Sequence, residues 1–238
     1  METTTFLAMT AAEIAGKYPL PPKIAWMACH FSPYGTGLSN LPEALPADSL
    51  LILNDRIPIC GHDPRRILDQ LREAFKRLGC AGLLLDFQRP GSGETARLVR
   101  QLCEALGPAV AVSEVYSRES AGAVFLPPLP HHVPLAEYIA PWTGREVWLE
   151  LAMDTETITL TKDGASVSSC DFPQMPDEGF VEETLHCHYR TKLTETTAEF
   201  TLWRTIEDAR NLLTEAAQLG IQNTVGLYQE FETAMLST

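Results

Sequence analysis

Short apolar runs alternate with amphipathic stretches along most of this chain, and that order leaves few folds open. Runs at 23–30, 50–54, 82–87, 109–115, 123–126 and 147–151 have the length and apolar content of buried strands. Between them, 65–78 carries Ile67, Leu68, Leu71, Phe75 and Leu78 at helical spacing, closed by Gly79. Helix 94–106 places Leu98, Val99, Leu102 and Leu106 on one face, and 135–141 is expected as a short helix. A strand followed by a helix and another buried strand makes a parallel βαβ unit, so the fold class is α/β.

The texture changes after residue 151. Residues 155–169 read as a hairpin around Lys162-Asp163-Gly164, and 184–193 with 197–204 read as a second strand pair. Helix 207–219, with Ala209, Leu212, Leu213 and Ala216 inward, and a strand at 223–228 return to the first pattern. The stretch 152–204 is thus expected as an antiparallel β insertion within one domain of residues 1–238. Residues 1–22 read as a short helix and a Pro-rich entry.

Composition narrows the partners. The net charge of −13 disfavours nucleic acid and anionic membranes, because both need clustered Lys and Arg. No apolar run is long enough to span a bilayer, and the N-terminus lacks the basic and apolar regions of a secretory leader. The six cysteines are scattered without a Cys-x-x-Cys pair, and read as reduced, mostly buried thiols of a cytoplasmic protein.

Residues 79–91 read G-C-A-G-L-L-L-D-F-Q-R-P-G. This resembles the fourth-strand signature of the family 18 glycoside hydrolases, the chitinase family, which runs D-G-x-D-x-D-x-E after a Gly. Gly79, Gly82, Asp86, the aromatic Phe87 and Pro90-Gly91 are kept. Ala81 and Leu84 stand at two of the signature's Asp positions, and Gln88 stands at its Glu. The ending 205–231 is also similar, with Tyr228 near the place of a tryptophan beneath the sugar. The resemblance implies a (β/α)8-type TIM barrel, irregular or incomplete, and a carbohydrate site at the C-terminal ends of its strands.

In that family the Glu protonates the leaving oxygen, and the sugar's own acetamido oxygen attacks the anomeric carbon. A carboxamide has no proton to give near neutral pH, so Gln88 implies an altered or absent chitinase chemistry. Period two sends Leu84, Asp86 and Gln88 to one side of their strand and Leu83, Leu85 and Phe87 to the other.

The candidate catalytic residues are Asp86, Gln88, Glu114 and Glu150; Asp86, Gln88, Tyr116, Tyr228 and Glu230 are candidate ligand-binding residues. A carbohydrate or small polar molecule is the expected ligand, with no cofactor and no metal, and the oligomeric state is open. His186-Cys187-His188 presents two imidazoles on one strand face, and Gly91-Ser92-Gly93 precedes a helix, but neither has the full pattern of a zinc or phosphate site. Three readings stay open: a carbohydrate-binding relative of glycosidases without their chemistry, a hydrolase using Asp86 with another carboxylate, and a non-catalytic scaffold.

Overall fold

A computed structural model describes residues 3–17, 19–89, 93–170 and 178–235. Eight parallel strands close a barrel: β1 (Thr4–Met9), β2 (Ile24–Phe31), β4 (Leu50–Asn54), β5 (Gly82–Asp86), β6 (Val110–Ser113), β7 (Ala123–Leu126), β8 (Val147–Leu151) and β14 (Asn223–Leu227). A two-residue strand, β3 (Leu38–Ser39), lies antiparallel on β2. Closure depends on β1, which pairs with β14 on one side and with β2 on the other.

That strand corrects the expectation of a helix and Pro-rich entry over 1–22: the helix α1 (Ala11–Gly16) comes after it. The opening Thr3-Thr4-Thr5 reads as polar, but β-branched Thr suits a strand. Here Thr5 Oγ1 lies 2.9 Å from Thr224 Oγ1 across the seam.

The barrel is irregular in its helices. α2 (Pro64–Leu78), α3 (Gly93–Leu106) and α5 (Ile206–Gln218) are long, α4 (Leu135–Ile139) has one turn, and β6 reaches β7 through a 3₁₀ stretch. Asp63 accepts from Arg65 N–H at 3.0 Å and Pro64 fills the first turn, which fixes where α2 begins. Gly79 ends it at φ 65°, a left-handed conformation that costs glycine little. Gly82 answers a different need: a Cβ there would meet the Ala109 carbonyl oxygen at 2.8 Å.

Side chains separate into layers as period two requires. Phe6, Ala25, Leu50, Leu84, Ala111 and Trp148 fill the barrel interior. Leu83, Leu85 and Phe87 point outward onto α2 and α3, so the two faces of β5 are those its sequence implies. Trp148 is core, its Nε1 donating to Glu146 Oε1 at 2.7 Å.

Between β8 and α5 the chain builds a separate antiparallel sheet. Its strands are β9 (Thr155–Thr161), β10 (Gly164–Cys170), β11 (Phe180–Glu182), β12 (Cys187–Leu193) and β13 (Thr197–Trp203), in the order β10-β9-β13-β12-β11. The inner end of this sheet is tied to the barrel through buried polar groups. Glu156 accepts from His131 N–H at 2.9 Å and lies 2.9 Å from His132 Nδ1. Arg204 donates through Nη1 to the Leu129 carbonyl at 2.8 Å. His188 Nδ1 meets Asp208 Oδ2 at 2.8 Å and His186 Nε2 meets Glu215 Oε2 at 2.6 Å, both on α5.

His131 is 1% exposed, and burial with the nearby Arg204 and His132 pushes its pKa down to about 3, against the opposing pull of Asp208. It is therefore neutral, and its 3.8 and 3.9 Å approaches to Asp154 and Glu156 are not ion pairs. Burying a neutral histidine stabilises the fold above the ordinary histidine pKa of 6.5, and that contribution is lost as pH falls toward 3. Chemical denaturation is expected to show wild type losing about 2 kcal/mol more than His131→Gln between neutral pH and pH 5.

Candidate active site

The C-terminal ends of the barrel strands surround a cavity of about 400 Å³. Its floor is apolar, formed by Ala8, Ile52, Leu84, Phe125 and Val225, inward residues of five barrel strands. Its polar wall is Asn54, Asp55, Arg56, Asp86, Gln88 and Glu150. Asp86 ends β5 and Glu150 lies on β8. These strands are separated by β6 and β7, so the two carboxyls enter from different sides of one cavity.

Gln88 Nε2 donates to Asp86 Oδ1 at 2.6 Å, which locks the two side chains together at the wall. The backbone behind them is clamped by Asp55, whose carboxylate accepts from Gln88 N–H at 3.2 Å and Arg89 N–H at 2.9 Å. Ser113 Oγ donates to the Phe87 carbonyl at 2.6 Å from the adjoining strand. Asn54 donates through Nδ2 to the Met27 carbonyl at 3.1 Å, joining β4 to β2 at the rim.

Burial raises the Asp86 carboxyl; the Gln88 hydrogen bond works against that rise, and the Asp55 charge adds to it. Burial pushes Glu150 further, up to about 7, with help from the charges of Asp86, Glu230 and Asp154. Glu150 can therefore hold a proton near neutral pH.

Other expected site residues fall elsewhere. Glu230 lies behind the cavity, where Oε2 accepts from Met153 N–H at 2.8 Å, and its charge reaches Glu150. Glu114 is exposed at the start of the 3₁₀ stretch; burial raises the Tyr138 hydroxyl, and the charges of Glu114 and Glu150 add to that rise. Tyr116 is buried outside the barrel wall, edge-on to Phe87, with its hydroxyl donating to the Arg89 carbonyl at 3.2 Å. It supports the loop from behind and does not line the cavity. Tyr228 opens α6 (Tyr228–Met235) and is 6% exposed in the outer core, with Lys17 over its ring, because the last strand stops at Leu227. Phe125 is the aromatic of the cavity lining.

Asn54, Asp55 and Arg56 were not singled out by their residue types. Their signal was position, since they directly follow the run LLIL, at the end of a barrel strand where sites are built.

The histidine expectation changes in form. His186 sits in a left-handed turn at φ 47° before β12, and the carboxylates of α5 take both it and His188. Among the described residues no group of three or more His, Cys, Asp or Glu is placed to hold a metal ion. Gly91 and Ser92 lie outside the described residues, and Gly93 starts α3. The cysteine expectation is corrected: Cys29 and Cys187 are buried, Cys80 and Cys103 are half-buried, and Cys60 and Cys170 are exposed. No helix among the described residues is long and apolar enough to cross a membrane.

A closed parallel barrel, a cavity at the C-terminal ends of its strands and a β-sheet inserted after the seventh strand define this chain as a (β/α)8 protein of the TIM-barrel type. Among solved structures, that architecture is found in chitinases and chitinase-like proteins. A chitinase from Chromobacterium violaceum superposes with a TM-score of 0.61 at 7% identity, covering 99% of this chain and 97% of the other. A class V chitinase from Nicotiana tobaccum, a glutamate-to-glutamine variant in complex with NAG4, gives 0.61 at 10% identity over 100% and 99%. The chitinase-like agglutinin from Robinia pseudoacacia gives 0.59 at 14% identity over 97% and 98%. No family model matches the chain, and no curated protein matches it.

Proposed function

We propose that this protein is a chitinase-like barrel that binds an N-acetylglucosamine-type carbohydrate in the cavity of Asp86, Gln88 and Glu150, without hydrolysing it by the chitinase route. The observation that carries this reading is the Gln88–Asp86 hydrogen bond of 2.6 Å above the hydrocarbon of Leu84. A carboxamide and a leucine occupy two positions where the sequence resemblance expects acids. The carboxamide keeps donor and acceptor capacity for sugar hydroxyls but supplies no proton. The leucine adds hydrocarbon to the floor, and Asp86 is the carboxylate left beside Gln88. Loss of a general acid alone costs roughly 10²–10⁴ in rate, and here the second acid is missing as well. The likeness to a glutamate-to-glutamine chitinase in complex with NAG4 supports retained binding. Free thiols at Cys29, Cys60, Cys80, Cys103 and Cys187 suit a reducing, cytoplasmic setting, and the insert belongs to the same domain as the barrel.

Calorimetric titration with N-acetylglucosamine oligomers tests the reading. Wild type is expected to bind, and Gln88→Ala to bind about tenfold more weakly, as expected for loss of one hydrogen-bonding group worth about 1.4 kcal/mol. Gln88→Glu is expected to bind without regaining chitinase turnover, since Leu84 still lacks the second acid. Absence of binding by wild type and both variants contradicts the proposal.

One observation favours a second reading. Glu150, pushed up to about 7, shares the cavity with Asp86 from another side of the barrel, which provides a proton-holding carboxyl and a second carboxyl facing it. That pairing suits general acid and base work on a glycoside or another polar bond. Turnover by wild type with a bell-shaped pH profile, abolished in Glu150→Gln and Asp86→Asn alike, is the outcome that reading requires.

A further inference from the structure

The barrel cavity is short of positive charge. Among the described residues its lining holds three carboxyl groups, Asp55, Asp86 and Glu150, against one guanidinium, that of Arg56. Asp55 is spent on the backbone, since its two oxygens accept from Gln88 N–H and Arg89 N–H at 3.2 and 2.9 Å. Arg56 is exposed, its own N–H donating to Asn54 Oδ1 at 3.1 Å and its carbonyl accepting from Arg89 Nη2 at 2.9 Å. Its guanidinium forms no ion pair with Asp86 or Glu150 among the described residues. The neutral Gln88 amide donates to Asp86 Oδ1, and no described residue donates to Asp86 Oδ2 or to Glu150.

Two carboxylates in one cavity without a cation are costly when both are ionised, because low-dielectric surroundings and each other's charge oppose them. Burial raises Asp86, with the Gln88 hydrogen bond opposing that rise and the Asp55 charge adding to it. Burial raises Glu150 as well, and the charges of Asp86, Glu230 and Asp154 add to it. A bound proton relieves one carboxylate. A ligand cation that donates several hydrogen bonds can relieve both. The floor sets a second requirement: Ala8, Ile52, Leu84, Phe125 and Val225 suit the C–H face of a sugar ring more than a bare ion. In agreement, no group of three or more His, Cys, Asp or Glu among the described residues is placed to hold a metal ion.

We infer that the sugar unit this cavity prefers is a hexosamine with a free amine, whose ammonium is held by Asp86 and Glu150. The inference deepens the carbohydrate reading above and rests on it. A secondary amide offers one neutral N–H, whereas an ammonium offers three donors and a charge. The same ring with its amine uncapped therefore exchanges a neutral hydrogen bond for charge-assisted ones, which are roughly twice as strong. Acetylated units still fit, through the ring face on the floor and the hydroxyls on Gln88, but leave one carboxylate of the pair without a partner. The net charge of −13 attracts any cation from a distance, so the preference is assigned to the cavity only where it follows the cavity's own side chains.

Calorimetric titration at physiological salt with the glucosamine tetramer and the N-acetylglucosamine tetramer tests this. The glucosamine tetramer is expected to bind wild type about tenfold more tightly. Glu150→Gln is expected to bring the two affinities close to equality, since the variant keeps the shape and removes the charge. Arg56→Gln, at an exposed position, is expected to widen the preference by removing the opposing cation. Spermidine reports the attraction of an acidic chain for any polycation, and is expected to bind more weakly than the glucosamine tetramer. If the acetylated tetramer binds as tightly as the glucosamine tetramer or more so, the inference fails and the carbohydrate reading stands. A preference that survives Glu150→Gln, or spermidine binding as tightly as the glucosamine tetramer, also overturns it. Absence of binding by both tetramers overturns the carbohydrate reading and the inference together.

Discussion

Replacing Arg204 with methionine is expected to destabilise the protein by about 3–5 kcal/mol, because it removes the cation from a buried charge cluster and leaves the anions behind. Arg204 is 2% exposed at the end of β13, where the insert returns to the barrel. Its Nη1 and Nη2 reach the Leu129 and Pro130 carbonyls at 2.8 and 3.4 Å; burial lowers its pKa, and the nearby charges of Cys187, Asp154, Glu156 and Asp208 work against that fall. Methionine preserves much of the volume, so the loss reports charge and hydrogen bonds more than a cavity. Urea unfolding monitored by tryptophan fluorescence measures it directly. Arg204→Lys is expected to recover only part of the loss, since a point charge cannot serve two carbonyls in a fork. Equal stability of wild type and Arg204→Met would mean the cluster is dispensable.

The second large effect is a pH dependence set by Glu150. Its carboxyl moves from the ordinary 4.5 up to about 7 in the fold, chiefly by burial. The folded state therefore binds this proton more tightly than the unfolded chain does. The sign follows: the stabilisation is fully present below pH 4.5 and is lost as pH rises through 7. A shift of that size corresponds to about 3 kcal/mol. Wild type should thus weaken between pH 5 and pH 8 relative to Glu150→Gln, whose amide mimics the protonated acid. The Gln variant is expected to be the more stable of the two by about 3 kcal/mol at pH 8 and equal to wild type near pH 4. Parallel unfolding curves for the two proteins across that range would show that Glu150 titrates normally.

The parts of the fold legible in the sequence were those where local and global signals agree. Leu50–Asn54, Ala123–Leu126 and Val147–Leu151 are short apolar runs, and they are strands at those bounds. The two faces of β5 followed from period two alone. β1 was missed because its apolar Phe6–Met9 runs almost directly into the helical Ala11–Gly16, while its strand conformation comes from pairing with β14 and β2, residues far away in sequence.

Site residues split in the same way. Asp86, Gln88 and Glu150 meet in one cavity because strand alternation aims them inward. Tyr116 and Tyr228 were expected there as aromatics near strand ends, but each follows the point where its strand stops, and the turn into a helical segment swings it outward. Asp55 went unread because its task is to hold two backbone N–H groups, which leaves no mark in residue type or spacing.

The central claim is binding without chitinase turnover. The most direct measurement incubates wild-type protein with the N-acetylglucosamine tetramer and follows both heat of binding and product mass in the same mixture. A saturable binding isotherm, weakened by Asp86→Ala, over a tetramer that stays intact is the predicted result. Release of shorter oligosaccharides by wild type, or no heat of binding at all, would contradict it.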